Sequence, residues 1–477
     1  MSIKNDIASF AMETNQNPYL LGKYAPIHTE ITAENLEVIG EIPKDLHGAY
    51  VRNGPNPQFA PKGRHHWFDG DGMLHSIYLE NGKATYRNRW IRTDGFNRER
   101  EANGAIWTGY MDPIINNPPD APLKDTANTD LVFFNQQILA LWYLSGKPYK
   151  IDPVTLETMG IEDFDGQLNT NMAAHAKVDE ETGDLMFFEF GVRPPFMSYG
   201  VYSPSKKKLH TVPVQLPGPR IPHDLAFTKN YTLLFDMSLF ADPKGLRKGM
   251  YIPKFFRDTP FRTAIIPRFG SADQIKWFEA KPCYMYHTIN AWEEGDEVVL
   301  VACRVAEPEP PPEIKGAMDR MLGFLKITAE LYCWRFNMKT GDVKEGPLDD
   351  NNTEFPMMNT AYLGKKSQYS YNMHISEERT LLFDAIVKYD VHTGQSKTFD
   401  MGPGRYCSES PFAAKANPNS EDDGYLLTFV HDEREKLSEL LIIDAKSMDS
   451  EPIAKIRIPQ TVPIGFHACW APGAELG

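Results

Sequence analysis

Four histidines stand where they could share one ion. His175 opens AAHAKVDEETGDLMFF (173–188), which reads as a β-hairpin: a first strand carrying the histidine, an acidic turn ending in Thr182-Gly183-Asp184, and an apolar return from Leu185 to Phe188. His223 opens HDLAFTKNYTLLFD, with a polar turn at Lys229-Asn230 and an apolar run from Leu233. His287 opens HTINAWEEGDEVVLVACR, with a turn at Glu293-Glu294-Gly295-Asp296 and an apolar run from Val298. A histidine therefore precedes its returning strand by a similar distance three times. His467 lies in GFHACW near the end. Neutral imidazole is the commonest metal-binding side chain. Histidines at equivalent places in repeated units of a closed, radial fold point at one axis, and four of them make an all-nitrogen metal site. One such histidine alone reads more simply as a core or hairpin residue; three in register favour a shared role.

The elements that must carry these residues are strands. From Asp130 onward, short apolar stretches alternate with polar turns, and the helix period hardly occurs. A strand followed by Asp or Asn and a turn recurs in YKIDPVTLET (from Tyr149), YCWRFNMKTGDV (from Tyr332), VKYDVHTGQSKTF (from Val387) and LLIIDAKSMDSEPIAKI (from Leu440). Four-stranded units at this spacing suggest an all-β propeller. Residues 1–30 read as a polar arm lying across the body. In HHWFDGDGMLH (65–75), His65, His66 and His75 are further candidate ligands. A structural role is expected for them, because adjacent residues on a strand face opposite ways. Two segments interrupt the β rhythm. Gly245–Gly270 mixes Arg and Lys with Phe255, Phe256, Phe261, Ile265 and Ile266. Residues 307–330 begin EPEPPPE and then place Met318, Met321, Leu322 and Leu325 at the spacing of a short amphipathic helix. Both are expected to be cap insertions, or an apolar mouth that meets a membrane surface.

Composition narrows the function. The chain has 477 residues, a formal net charge of −14 and five scattered cysteines. Phosphate backbones call for a basic surface, so nucleic acid is an unsuitable partner. The cysteines form no CxxC pair and read as buried thiols in a reducing, cytoplasmic setting. The first residues lack the apolar run of a signal peptide, and no stretch of about 18 apolar residues occurs.

The motifs RNGPNP (52–57), HHWFDGDGMLH, the four histidine segments, TEFP (353–356) and the final FHACW together resemble the carotenoid cleavage oxygenase family, in family order from about residue 18 to residue 472. The resemblance implies a single seven-bladed β-propeller domain over 1–477, with a cap of loops and short helices on one face. It also implies one Fe(II) per chain held by His175, His223, His287 and His467, with no organic cofactor. Glu354 and Glu409 match glutamates that hydrogen-bond the outer nitrogens of ligating histidines, fixing tautomer and ring orientation. A third such glutamate would fall in ILALWYLSGKPYKIDP. Here Trp142 is followed by Tyr143 and Leu144, and no carboxylate is present.

The implied reaction joins O2 to an apolar alkene and gives two carbonyl products. Tyr110, Trp142, Tyr143, Phe196 and Tyr286 are candidates for the pocket wall. Trp142 matches the carotenoid-cleaving pattern, whereas members acting on stilbenes or phenylpropenes carry a lysine there that binds a phenolate together with a tyrosine. Tyr110 is a candidate for that tyrosine. A carotenoid or apocarotenoid is therefore the expected substrate, with a stilbene, isoeugenol or 4-vinylguaiacol type as the alternative. An iron-dependent isomerase, a non-catalytic propeller and a calcium or zinc hydrolase are remoter readings. Calcium prefers oxygen ligands, which four histidines do not offer.

Overall fold

The repeated Asp and Asn residues close the turns between the third and fourth strands of four four-stranded arrays. In the computed structural model, which describes residues 17–476, Asp152 Oδ1 accepts the N–H groups of Val154 and Thr155 at 2.9 and 2.7 Å. Asn337 takes those of Lys339 and Thr340, Asp390 those of His392 and Thr393, and Asp444 those of Lys446 and Ser447, all between 2.8 and 3.0 Å. A short side-chain acceptor caps two backbone donors that a hairpin turn would otherwise leave to water.

These turns punctuate antiparallel sheets built from consecutive strands. One sheet holds Asp130–Phe134, Gln137–Leu141, Tyr149–Ile151 and Thr158–Ile161. The next holds Lys177–Val178, Leu185–Phe190, Phe196–Ser203 and Lys208–Gln215. A third runs Ala226–Phe227, Tyr231–Asp236, Phe261–Pro267 and Lys276–Ala280. A fourth runs Tyr284–Glu294, Glu297–Val305, Glu330–Asn337 and Val343–Pro347. Two more such arrays, beginning at Thr353–Met357 and Phe412–Ala414, are joined through Arg405–Cys407. The last strand, Ala468–Pro472, pairs with Gly48–Pro55 near the start, with Val51 opposite Cys469. That pairing ties the two ends of the chain into one sheet.

Burial follows position within each sheet. Glu297–Val305 is a second strand, and its residues 298–303, VVLVAC, are all buried. Such a run requires cover on both faces. Lys208–Gln215 is a fourth strand and alternates buried Val212 and Val214 with exposed neighbours, the mark of a sheet with one wet side.

Helices are few. Ala317–Leu325 forms where the spacing predicts it, and buries Met321, Leu322 and Leu325 against the main core. The other interruption is shorter than expected. Phe261–Pro267 pairs between Tyr231–Asp236 and Lys276–Ala280, so Phe261, Ile265 and Ile266 are sheet core; only the stretch before them departs from the sheet. Phe255 is buried, and Phe256 stacks on Phe240 at 4.0 Å, so neither forms an exposed apolar mouth. Of the arm expected at 1–30, residues 1–16 lie outside the described residues. Its remainder is anchored: Tyr19 and Tyr24 are buried and pack on Trp67 at 4.8 and 5.5 Å. Among the described residues, no helix is long and apolar enough to cross a membrane.

Candidate metal centre

Each of the four histidines sits on, or just before, the edge strand of its sheet. His175 precedes Lys177–Val178, His223 precedes Ala226–Phe227, and His467 precedes Ala468–Pro472. His287 lies within Tyr284–Glu294, where the pairing slips between Met285 and Thr288 and again between Thr288 and Asn290. Such irregularities re-aim side chains that a regular strand would send elsewhere. His175 has a φ of +67° and Phe355, beside Glu354, one of +48°. For residues other than glycine this conformation costs about 1–3 kcal/mol, a strain that concentrates at functional sites.

The structure brings all four rings together. The His175 ring lies 4.8 Å from His223, 4.8 Å from His287 and 4.6 Å from His467. His287 is 4.7 Å from His467 and 5.2 Å from His223. Ligand nitrogens of His175, His287 and His467 all lie within 4.8 Å of one another. His223 stands at the margin of this group, with its ring edge-on to Tyr286 at 5.1 Å.

Carboxylates stand behind three of the rings. Glu354 Oε2 is 2.5 Å from His287 Nδ1, and Glu409 Oε1 is 3.0 Å from His467 Nδ1. The second oxygen of Glu409 accepts the Ala468 N–H at 2.6 Å. Asp130, which sequence reasoning did not single out, accepts the backbone N–H of His175 at 2.8 Å and lies 3.5 Å from its Nδ1. Its only signal in the sequence is an acid at a strand start, in NTDLVFF, beside a strand of the same sheet as Trp142. Among the described residues, no carboxylate pairs with the His223 ring, and WYL at 142–144 supplies none.

The electrostatics suit a cation. Burial, reinforced by the neighbouring rings, holds His175, His223 and His287 well below the usual imidazole range, so they are neutral with a lone pair to donate. Burial lowers His467 as well, but the Glu409 carboxylate outweighs it and leaves the net shift upward. Burial pushes Glu354 up to about 8 and raises Glu409. Buried carboxyl groups of this kind favour a nearby positive charge. With Nδ1 turned toward a carboxylate, His175 and His287 each leave a buried Nε2 with no hydrogen-bond partner. These orphaned nitrogens and the all-nitrogen donor set fit a transition-metal ion better than a hard, oxygen-seeking one.

The expected pocket residues divide. Tyr286 faces His223, and Tyr143 contacts Trp142, Tyr110 and Phe68 at ring distances of 6.0, 6.3 and 5.1 Å. Phe68 in turn meets Phe466, which precedes His467. Tyr110 and Trp142 line a cavity together with His65, Phe68, Lys124 and Leu144. This cavity is more polar than a purely apolar channel, since Lys124 bridges Asp71 and Glu99 at 2.5 and 2.6 Å. Trp142 Nε1 and the hydroxyls of Tyr143 and Tyr251 are buried without partners. Phe196 does not join them; it packs with Phe190 against a separate core that includes Met197 and Val214. Phe355, also missed, lies flat on His467 at 4.6 Å. His65, His66 and His75 stay out of the four-histidine cluster, although His65 lines this cavity and the His66 ring lies 4.5 Å from that of Tyr110. His66 caps the 3₁₀ turn Trp67–Asp69 rather than lying on a strand, and His75 Nδ1 meets Tyr86 at 2.8 Å.

Comparison with known proteins places these observations in context. The family model described as "Retinal pigment epithelial membrane protein" matches residues 24–472. The chain is 36% identical to a carotenoid 9,10(9',10')-cleavage dioxygenase 1 of Pisum sativum, over 96% of this chain and 90% of that one. It is 30% identical to an isoeugenol monooxygenase of Pseudomonas nitroreducens, over 96% and 99%. The crystal structure of Pseudomonas brassicacearum lignostilbene dioxygenase superposes with a TM-score of 0.85 at 29% identity, covering 96% of this chain and 99% of that one.

Proposed function

The chain belongs to the carotenoid cleavage oxygenase family, and from that premise we propose that it is a non-haem Fe(II) dioxygenase that cleaves a carbon–carbon double bond of a carotenoid or apocarotenoid with O2, giving two carbonyl products. Its six four-stranded arrays and the sheet closed by Ala468–Pro472 are read as seven blades of one propeller domain, with the edge strands that carry the histidines nearest the axis.

One observation carries the reading: four buried histidine rings converge, with carboxylates behind the outer nitrogens and inner nitrogens left without partners. His175, His223, His287 and His467 would hold one Fe(II), which when bound supplies a centre that takes up and activates O2. Glu354 and Glu409 keep the proton on Nδ1 of their histidines and so keep Nε2 free to ligate. Phe355 and Tyr286, packed on the rings of His467 and His223, wall the centre. Tyr143 and Trp142 offer broad faces that hold an alkene by area, at roughly 25 cal/mol per Å² of apolar surface buried. No side chain is assigned as acid or base; the protein's part is to position one double bond. Aerobic incubation with a panel of carotenoids, apocarotenals, stilbenes and 4-hydroxyphenylpropenes, with products identified by mass, tests the proposal. Two carbonyl fragments containing new oxygen support it; an isomer of unchanged mass refutes it.

A second reading, cleavage of a phenylpropenoid to an aromatic aldehyde, is favoured by the buried, unpartnered hydroxyls of Tyr143 and Tyr251 and by Trp142 Nε1. They could bind the oxygen substituent of a short aromatic substrate. Membrane contact also belongs to the proposal, at residues other than Phe255 and Phe256. Ile115 is 86% exposed and Ile252 39%, and their loops meet where the Ile114 N–H donates to the Gly249 carbonyl at 3.1 Å. Exposed Arg247 and Lys248 flank them, a basic patch in an acidic protein that suits an anionic lipid surface.

A further inference from the structure

The geometry points to Asp130 as the positioning residue for His175, a carboxylate on the hairpin partner of the strand that leads into Trp142-Tyr143, where none is present. This rests on reading the four-histidine centre as a metal site. Asp130 pairs across the hairpin with Leu141, the neighbour of Trp142. The Tyr143 N–H donates to Thr129 Oγ1 at 3.2 Å, which ties the same two strand ends together. A carboxylate absent from one strand therefore stands on its hairpin partner, at the same end of the same sheet. Its target is His175; among the described residues, no carboxylate pairs with the His223 ring.

Two features explain why His175 needs a dedicated partner. It alone among the four has its ring within 4.8 Å of the other three, so its displacement would disturb every pair. It also holds a left-handed backbone, which its neighbours in sequence do not enforce, since both are alanine. Asp130 is buried and fixed at both oxygens: Oδ1 accepts the Leu131 N–H at 2.8 Å, and Oδ2 accepts the His175 N–H at 2.8 Å. The bond to the His175 backbone holds the left-handed turn. The same oxygen, 3.5 Å from Nδ1, draws the ring proton to that side and leaves the unpartnered Nε2 free to ligate. With Glu354 and Glu409, Asp130 makes a third buried acid facing the place where a cation would sit.

Asp130→Asn separates these roles, because its amide oxygen can still accept the His175 N–H while the charge is gone. Asp130→Ala removes both. Full-length metal-free protein is titrated with Co(II), followed by its visible absorption, and its melting temperature is measured without metal. Asp130→Asn is expected to weaken Co(II) binding about 10–100-fold with little change in metal-free melting, whereas Asp130→Ala also melts lower. An Asp130→Asn chain that binds Co(II) within twofold of wild type overturns the assignment, as does one whose metal-free melting falls as far as that of the alanine variant. His287→Ala serves as the control. If wild type takes up no Co(II), or if His287→Ala binds it like wild type, the metal reading fails and the role of Asp130 fails with it.

Discussion

The hairpin turns marked by Asp152, Asn337, Asp390 and Asp444 and the histidine-bearing ends of the sheets put their polar side chains to different uses. In the turns, each side chain does what local chemistry asks: one acceptor caps two backbone donors, with ordinary distances. At the histidine ends the local rules are broken repeatedly. Non-glycine residues take left-handed backbones at His175 and Phe355, pairing slips around His287 and again between Glu354 and Met357, and buried polar atoms of His175, His287 and Glu354 go without partners. Left-handed residues also occur in two of the turns, at Leu156 and Met448, and pairing slips between Lys150 and Ile151. The histidine end differs in that left-handed backbone, slipped pairing and unpartnered buried polar atoms meet on the same few residues, the mark of a place where function outweighs stability. The comparison also separates kinds of loss. A change in the turns should lower stability alone, and a change at the histidine ends should lower metal binding and turnover.

The largest expected effect is at the rings themselves. His175→Ala, His223→Ala, His287→Ala or His467→Ala should abolish alkene cleavage and reduce iron well below one per chain, read by metal analysis beside a turnover assay. His65→Ala should keep its metal, since His65 lies apart from the cluster. Full iron and activity in any of the four variants would remove that histidine from the centre. Next come the acceptors behind the rings. Glu354→Gln and Glu409→Gln should each lose about 10–100-fold in metal affinity or activity while remaining folded by circular dichroism. If both variants match wild type, the pairs His287–Glu354 and His467–Glu409 are structural bonds and the division between the two regions loses its sharpest line.

The two regions were unequally legible in the sequence. The turns were readable because Asp or Asn followed by a polar pair carries its own mechanism, and the strand breaks came with it. The histidines were readable because three share one register, and His467 through its motif. Asp130 was not, for it acts across a hairpin on a residue 45 positions away, and nothing local distinguishes it from any acid at a strand start. Phe196 misled for the converse reason: an aromatic residue in a strand looks alike whether it faces the site or, as here, a separate core. Gly245–Gly270 reads in the sequence as one insertion because its basic and aromatic mixture hides the strand Phe261–Pro267, whose partner Tyr231–Asp236 lies on the far side of the irregular stretch, although its other partner, Lys276–Ala280, follows directly. Phe255 shows the same limit, since its burial depends on partners such as Leu239.

A smaller effect, on substrate choice, lies at the border of the histidine end. Trp142 is buried and presents a broad face, with one unpartnered N–H. A long polyene binds by area and needs no charged anchor, while a small phenol depends on a polar handle. Higher kcat/KM is therefore expected for an apocarotenoid than for a stilbene or 4-vinylphenol, and Trp142→Lys should shift the ratio toward phenols several-fold. Tyr143→Phe sharpens the test, because it deletes an unpartnered hydroxyl while keeping the ring. If it selectively weakens turnover of a 4-hydroxyphenylpropene that wild type cleaves well, and no apocarotenoid is turned over, the second reading of the substrate replaces the first.

The smallest expected effect is the one that most directly tests the contrast. Asp152, Asp390 and Asp444 sit in turns remote in sequence from every candidate ligand, and each caps two N–H groups that water can reach once the side chain is removed. A net hydrogen bond of this kind contributes about 0.5–1.5 kcal/mol. Asp390→Ala or Asp444→Ala should accordingly lower unfolding free energy in urea by about 1 kcal/mol. Asn at the same position should recover most of that loss, because its side-chain oxygen can accept the same two donors, as Asn337 does in the equivalent turn. Neither change should alter iron content or kcat/KM. Should either alanine variant lose metal in proportion to its stability, the sheets transmit strain from turn to centre, and the two regions cannot be treated as independent.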